Sequence, residues 1–102
     1  MVEQTVKVHN ERGIHMRPSM FIIDEASKYD SDITINVVDG EHVADAKSIM
    51  QMTMLGAKRG DEIVIKAKGS DEEQAVKGLV DLITSHRIDF VEDAAINPRT
   101  GK

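Results

Sequence analysis

The sequence predicts an α+β fold: an open-faced sandwich in which three helices lie on one face of a four-stranded antiparallel sheet. Two observations lead there. Four short stretches rich in β-branched residues show alternating polarity, and three others repeat their apolar residues every three or four positions. Along the chain they run strand, helix, strand, strand, helix, strand, helix. Alternation within the strands means one covered face and one wet face, as in antiparallel sheets with helices on a single side.

Each element follows from its residues. Residues 2–8 alternate loosely and are β-branched, so they read as a strand. Residues 9–13 are polar and end in glycine, a loop. Arg17 and Pro18 open a helix that runs to about Tyr29, since the missing proline N–H costs nothing in a first turn. Ser19, Ile22, Ile23 and Ala26 form its buried stripe. Ile33, Ile35 and Val37 alternate with Thr34 and Asn36 in a second strand. Asp39-Gly40 is a hairpin signal leading to a short strand at 41–44. Ser48 and Gln51 fit a capping box that starts a short helix ending near Leu55-Gly56. Residues 61–67 form the fourth strand, with Ile63, Ile65 and Ala67 on one face. Ser70 and Glu73 suggest a second capping box, and Asp71, Glu72 and Glu73 complement the helix dipole. Val76, Leu79, Val80 and Ile83 mark the third helix's buried stripe. Gly78 within it is unfavourable by about 1 kcal/mol relative to alanine, so a close packing contact is expected there. His86 and Arg87 suit the helix C-terminus. Residues 1–87 are read as one domain. The extension 88–102 has no clear period, and Pro98 and Gly101 suggest partial flexibility.

Composition narrows the function classes. With 102 residues the chain fits one domain, and its net charge of −5 disfavours nucleic acid as a partner. There are no cysteines, which removes disulfides, thiol catalysis and cysteine-based metal sites. His9, His42 and His86 lack metal-ligand spacing, and no glycine-rich nucleotide loop occurs, so neither a metal nor a cofactor is expected. The N-terminus does not read as a signal peptide, and no apolar run approaches the roughly 20 residues that span a bilayer. A cytoplasmic protein, not itself embedded in a membrane, is expected.

The chemistry concentrates in Gly13-Ile14-His15-Met16-Arg17-Pro18-Ser19. A histidine stands at the mouth of a helix, where unpaired N–H groups and a partial positive charge favour an anion. The planar fork of Arg17 can pair with phosphate oxygens. A positive setting also disfavours imidazolium and keeps His15 a neutral nucleophile. On these residues alone, the segment fits either a phosphate-accepting site or a histidine that merely flanks a helix.

The segment 13–18 resembles the phosphohistidine signature of HPr, the carrier family of the phosphoenolpyruvate-dependent sugar phosphotransferase system. Lys47-Ser48-Ile49-Met50-Gln51 resembles the family's second signature, around its regulatory serine. Element order matches the family over residues 1–86. The resemblance implies that His15 carries phosphate on Nδ1 and that Arg17 stabilises it. It implies Enzyme I as donor and Enzyme IIA domains as acceptors. Such a protein is an intermediate in phosphoryl transfer and not a self-contained catalyst. Met16 and Ser19 stand where many relatives carry other residues, and the extension 88–102 runs past the usual end of the domain.

Ser48 has two compatible roles. It caps a helix, and it is the position at which an HPr kinase/phosphorylase acts in relatives, placing phosphate beside a helix N-terminus. A different reading makes the chain chiefly a regulatory module, of a nitrogen-related or catabolite-control branch, working through Ser48 and docking to a regulatory protein. Retention of both His15 and Arg17 speaks against a purely regulatory role. Methionines cluster at Met16, Met20, Met50, Met52 and Met54. Met52 is expected in the core. Met16, Met20, Ile49, Met50 and Met54 are expected to face partners, because thioethers adapt to differently shaped surfaces. Arg17, Lys28 and Lys47 would add a cationic rim for acidic partners. A monomer is expected.

Overall fold

The computed structural model describes residues 1–9, 14 and 16–84, without the side chains of Met16 and Arg17. Its elements are β1 (Val2–Lys7), α1 (Met16–Ala26), β2 (Asp32–Val37), β3 (Val43–Asp45), α2 (Ile49–Thr53), β4 (Glu62–Lys68) and α3 (Glu72–Thr84). The sheet order is β1-β4-β2-β3, and every neighbouring pair is antiparallel. This is the α+β open sandwich expected from the alternation.

Register explains the two faces. Val6 lies opposite Ile63, while Ile65 lies opposite Ile35, which faces Ala44. Those side chains are buried under the helices with Ile22, Met52 and Leu79. Each large one contributes about 2 kcal/mol of hydrophobic stabilisation. On the other face, opposite charges sit across from each other: Glu3 with Lys66, Lys7 with Glu62, and Asp32 with Lys68. Cross-strand pairing of this kind suits a solvated surface.

Several boundaries differ from expectation. Helix α1 ends at Ala26, and Lys28 and Tyr29 close a turn on Glu25 and Ala26. The β2–β3 connection is longer than a two-residue hairpin. Asn36 pairs with Val43, and the turn is closed by the Gly40 N–H on the Val37 carbonyl at 2.8 Å. The positive φ of 66° falls on Asp39, whose short polar side chain tolerates it. Strand β3 therefore starts at Val43 instead of residue 41. Helix α2 ends at Thr53 with Met54 as its C-cap, and Gly56 turns left-handed (φ 70°) just beyond. Gly78 has the close contact its placement demanded: an added Cβ would lie 2.3 Å from the Tyr29 hydroxyl, which donates to Glu25. His86, Arg87, the 87/88 domain boundary and the extension 88–102 lie outside the described residues.

Both expected capping boxes are rearranged. At α2 the Ser48 hydroxyl accepts from the Gln51 N–H at 3.3 Å, as expected. Gln51, however, reaches back to the N–H of Asp45 at 2.8 Å, because Ser48's own N–H is taken by the Asp45 carbonyl. At α3 the Ser70–Glu73 box does not form. Glu72 accepts from the Gly69 N–H at 3.1 Å and pairs with the N-terminal ammonium at 3.0 Å. Asp71 instead reaches 40 residues back. Its carboxylate accepts from the N–H groups of Asp30 and Ser31 at 2.9 and 3.0 Å, and from the Ser31 hydroxyl. The start of α3 is thereby tied to the start of β2.

These donors hold the Asp71 carboxyl below its ordinary value of 3.8, chiefly through the Ser31 hydroxyl and then the Asp30 N–H. A lowered folded-state value means stability that is present above the unfolded value and lost as pH falls through the folded one. Asp71→Ala is therefore expected to lower the thermal midpoint at pH 7. Its deficit relative to the parent should shrink below about pH 4. Melting curves across pH 2.5 to 7 check this on a roughly 0.5-unit grid; a deficit constant over that range would contradict it.

Candidate functional site

The stretch leading up to His15 is held at both ends, Val8 and Ile14, by residues 57–61. At one end, the Val8 N–H donates to the Asp61 carbonyl at 2.8 Å, and the Val8 carbonyl accepts from Gly60 at 2.9 Å. At its other end, the Ile14 N–H donates to the Ala57 carbonyl at 2.9 Å. The bracketing stretch is itself braced. Asp61 accepts from the Lys58 N–H through its side chain and donates its own N–H to the Lys58 carbonyl, both at 2.9 Å. Gly60 supplies the left-handed residue (φ 93°) this tight loop requires. Val8 and Ile14 are buried, so apolar side chains anchor both ends as well.

His15 lies outside the described residues, as do the side chains of Met16 and Arg17. The backbone immediately after His15 is defined: α1 begins at Met16, with Arg17 in its first turn. Pro18 and Ser19 are fully buried beneath that turn. The start of α1 contains no carboxylate, whereas the start of α3 holds Glu72 and Glu73. The positive end of α3 is thus offset by its own sequence, whereas the first turn of α1 brings no carboxylate of its own. Among the described residues, no group of three or more acidic or histidine side chains could hold a metal. Also among them, no helix is long and apolar enough to cross a membrane.

The methionines separate as their spacing suggests. Met52 is fully buried, while Met20, Met50 and Met54 are 54%, 72% and 63% exposed, and Ile49 is exposed too. An apolar face therefore stands open on α1 and α2. Phe21 packs partly against the core. Lys47 is half-buried, and its ammonium donates to the Tyr29 carbonyl at 2.7 Å beyond the end of α1. Sequence reasoning missed that tie, because its partner lies 18 residues away with no local cue. Lys28 is exposed and pairs with Glu25 at 3.2 Å.

Ser48 is half-buried at its cap. Ser48→Ala is expected to cost about 1 kcal/mol by removing the acceptor for the Gln51 N–H. Urea unfolding measures it, and Ser48→Asp should recover most of the loss.

Residues 2–85 match the family described as "PTS HPr component phosphorylation site". The chain belongs to the HPr family. This is the phosphocarrier family of the phosphotransferase system, and two solved structures agree with the assignment. HPr-C-His from Thermoanaerobacter tengcongensis superposes with a TM-score of 0.77 at 40% identity, covering 83% of this chain and 93% of that one. The phosphocarrier protein HPr from Bacillus anthracis str. Ames gives 0.74 at 34%, covering 80% and 95%. A multiphosphoryl transfer protein of Escherichia coli O157:H7 is 37% identical over 79 residues, 76% of this chain and 21% of that protein. This HPr-family chain spans about a fifth of the length of the curated relatives it matches.

Proposed function

We propose that this chain is a phosphocarrier that accepts a phosphoryl group on His15 from phosphorylated Enzyme I and hands it to Enzyme IIA domains. The observation that carries the reading is the start of α1: a helix end without carboxylates, holding Arg17, directly after a histidine inside the family signature. In the loading step Nδ1 of the neutral His15 imidazole attacks phosphorus, and in the delivery step the acceptor's nucleophile attacks and the Nδ1–P bond breaks. On loading, the Nδ1–P bond forms as the donor's bond to phosphorus breaks, and Nε2 keeps its proton throughout. Arg17 and the first-turn N–H groups offset the charge on the phosphoryl oxygens. Residues 1–87 form the carrier domain. The exposed Met20, Ile49, Met50 and Met54, with Met16, form the docking face, and Lys47 borders it. Ser48 is the site at which a kinase adjusts docking, since a phosphate there adds about −1.5 to −2 charge next to Ile49 and Met50. The carrier acts as a monomer in the cytoplasm.

The test is direct. The full chain is incubated with Enzyme I and phosphoenolpyruvate, and its intact mass is read before and after acid treatment. A gain of one phosphoryl group that acid removes is expected. Absence of any gain with a cognate Enzyme I would overturn the reading and direct attention to Ser48.

A further inference from the structure

Helix α3 delivers the chain to the end of the molecule at which α1 begins. Two contacts fix the direction of α3. Glu72 pairs with the N-terminal ammonium at the start of β1, and Asp71 grips Ser31 where the chain leaves α1 for β2. Helix α3 thus starts at the end of the sheet that holds Met1, Asp32 and Lys68. Gly78 then passes Glu25 and Tyr29. The helix runs antiparallel to α1, so Thr84 emerges toward the first turn of α1, where β1 leads into residues 9–15.

The sequence beyond Thr84 suits those surroundings. From 88 to 96 the chain contains only apolar and acidic residues: Ile88, Asp89, Phe90, Val91, Glu92, Asp93, Ala94, Ala95 and Ile96. Apolar side chains match Met20, Met50 and Met54, which are open to more than half their area. The acidic ones match the α1 terminus, which holds Arg17 and no carboxylate. Reach is ample. Residues 85–102 can extend roughly 60 Å at about 3.3 Å each, against a radius of gyration of 13.0 Å. Tethering also gives the segment an effective concentration on the order of millimolar.

We propose that residues 88–96 of this chain lie on the face formed by Met20, Ile49, Met50 and Met54 and compete there with protein partners. The idea rests on the reading of that face as the docking surface, but its test involves no phosphoryl chemistry. The full chain is labelled with 13C at the methionine methyl groups and compared with the Phe90→Asp/Val91→Asp variant. The methyl signals of Met20, Met50 and Met54 should shift on substitution. Those of Met52 in the core and Met1 at the far end should stay, at every protein concentration. A second measurement leaves the apolar segment intact. With no native cysteine, Thr100→Cys accepts a nitroxide cleanly, and it should broaden Met20, Met50 and Met54 far more than Met1. Unchanged signals in the double variant, or broadening no stronger at those methyls than at Met1, would overturn the proposal. So would shifts that depend on concentration in both proteins, since a second copy would then be the occupant. Because these readouts are structural, a chain that docks its extension yet takes no phosphate would separate the two ideas.

Discussion

His15→Ala is expected to abolish acid-labile phosphorylation completely while leaving the fold intact. The flanking residues are secured by contacts that do not involve the imidazole. Ile14 is buried and bonded to Ala57, and Met16 already belongs to α1. Alanine is therefore expected to remove the proposed nucleophile without disturbing Ile14 or the start of α1. Neither of the other histidines among the described residues precedes a helix: His9 follows β1, and His42 sits beside Val43 and Met54 at the β3 edge. Intact mass after incubation with Enzyme I and phosphoenolpyruvate should show no phosphoryl gain in His15→Ala and full gain in His42→Ala. Circular dichroism and thermal midpoint should match the parent for both. Retained incorporation in His15→Ala would place the acceptor elsewhere. Arg17→Ala should be milder, slowing transfer while leaving the final stoichiometry unchanged, because the role proposed for Arg17 is on the phosphate oxygens and not on the attacking nitrogen.

The largest stability loss is expected from Gly69→Ala. An added Cβ would lie 2.6 Å from Ser31 Oγ, 2.7 Å from Ser31 Cα and 2.9 Å from Ser31 Cβ. Two of these atoms cannot rotate away, since one is backbone and another sits directly on it. Relief requires parting β2 from the β4–α3 turn, which would also strain the Asp71 bonds to Asp30 and Ser31. Overpacking at such a site costs about 3 kcal/mol, a large share of a small domain's stability. Gly60→Ala is the control. It has open space around it and only a left-handed backbone, so about 1 kcal/mol is expected. Urea unfolding of both variants checks the ranking; equal losses would show that backbone conformation, and not contact with Ser31, sets the cost.

The contrast between these glycines shows what could be read from sequence. Gly56 and Gly60 sit between periodic segments and could be assigned to turns, and both have positive φ. Gly69 also sits in a turn, but its restriction comes from Ser31, and nothing near either residue in the chain announces that meeting. The same holds for Asp71. As part of an acidic run before a helix it reads as a dipole complement, yet three donors from the α1–β2 connection compete for it and win. Ser70 then loses the cap its Ser-x-x-Glu pattern promised. Local cues located every strand and helix, since period 2 and period 3.6 are properties of single segments. Sheet order was not legible, because alternation says which face of a strand is covered and not which neighbour it takes. For the site, the helix start and the Met50, Met52 and Met54 pattern were readable from spacing. The bracketing of residues 9–14 by residues 57–61 was not, as it consists of main-chain bonds that carry no side-chain signature.

That bracketing has a consequence during synthesis. Strand β1 is made before the other strands, but among the described residues it pairs in the sheet with β4 alone, the last strand to be made. The Ala57, Gly60 and Asp61 groups that secure Val8 and Ile14 are made just before β4. A nascent chain therefore cannot assemble the segment around His15 until most of the domain has left the ribosome. Prematurely terminated chains that stop before residue 57 would contain the whole signature and still lack its frame. Such fragments would be poor competitors for the phosphoryl donor, so competence to carry phosphate is gained together with completion of the fold.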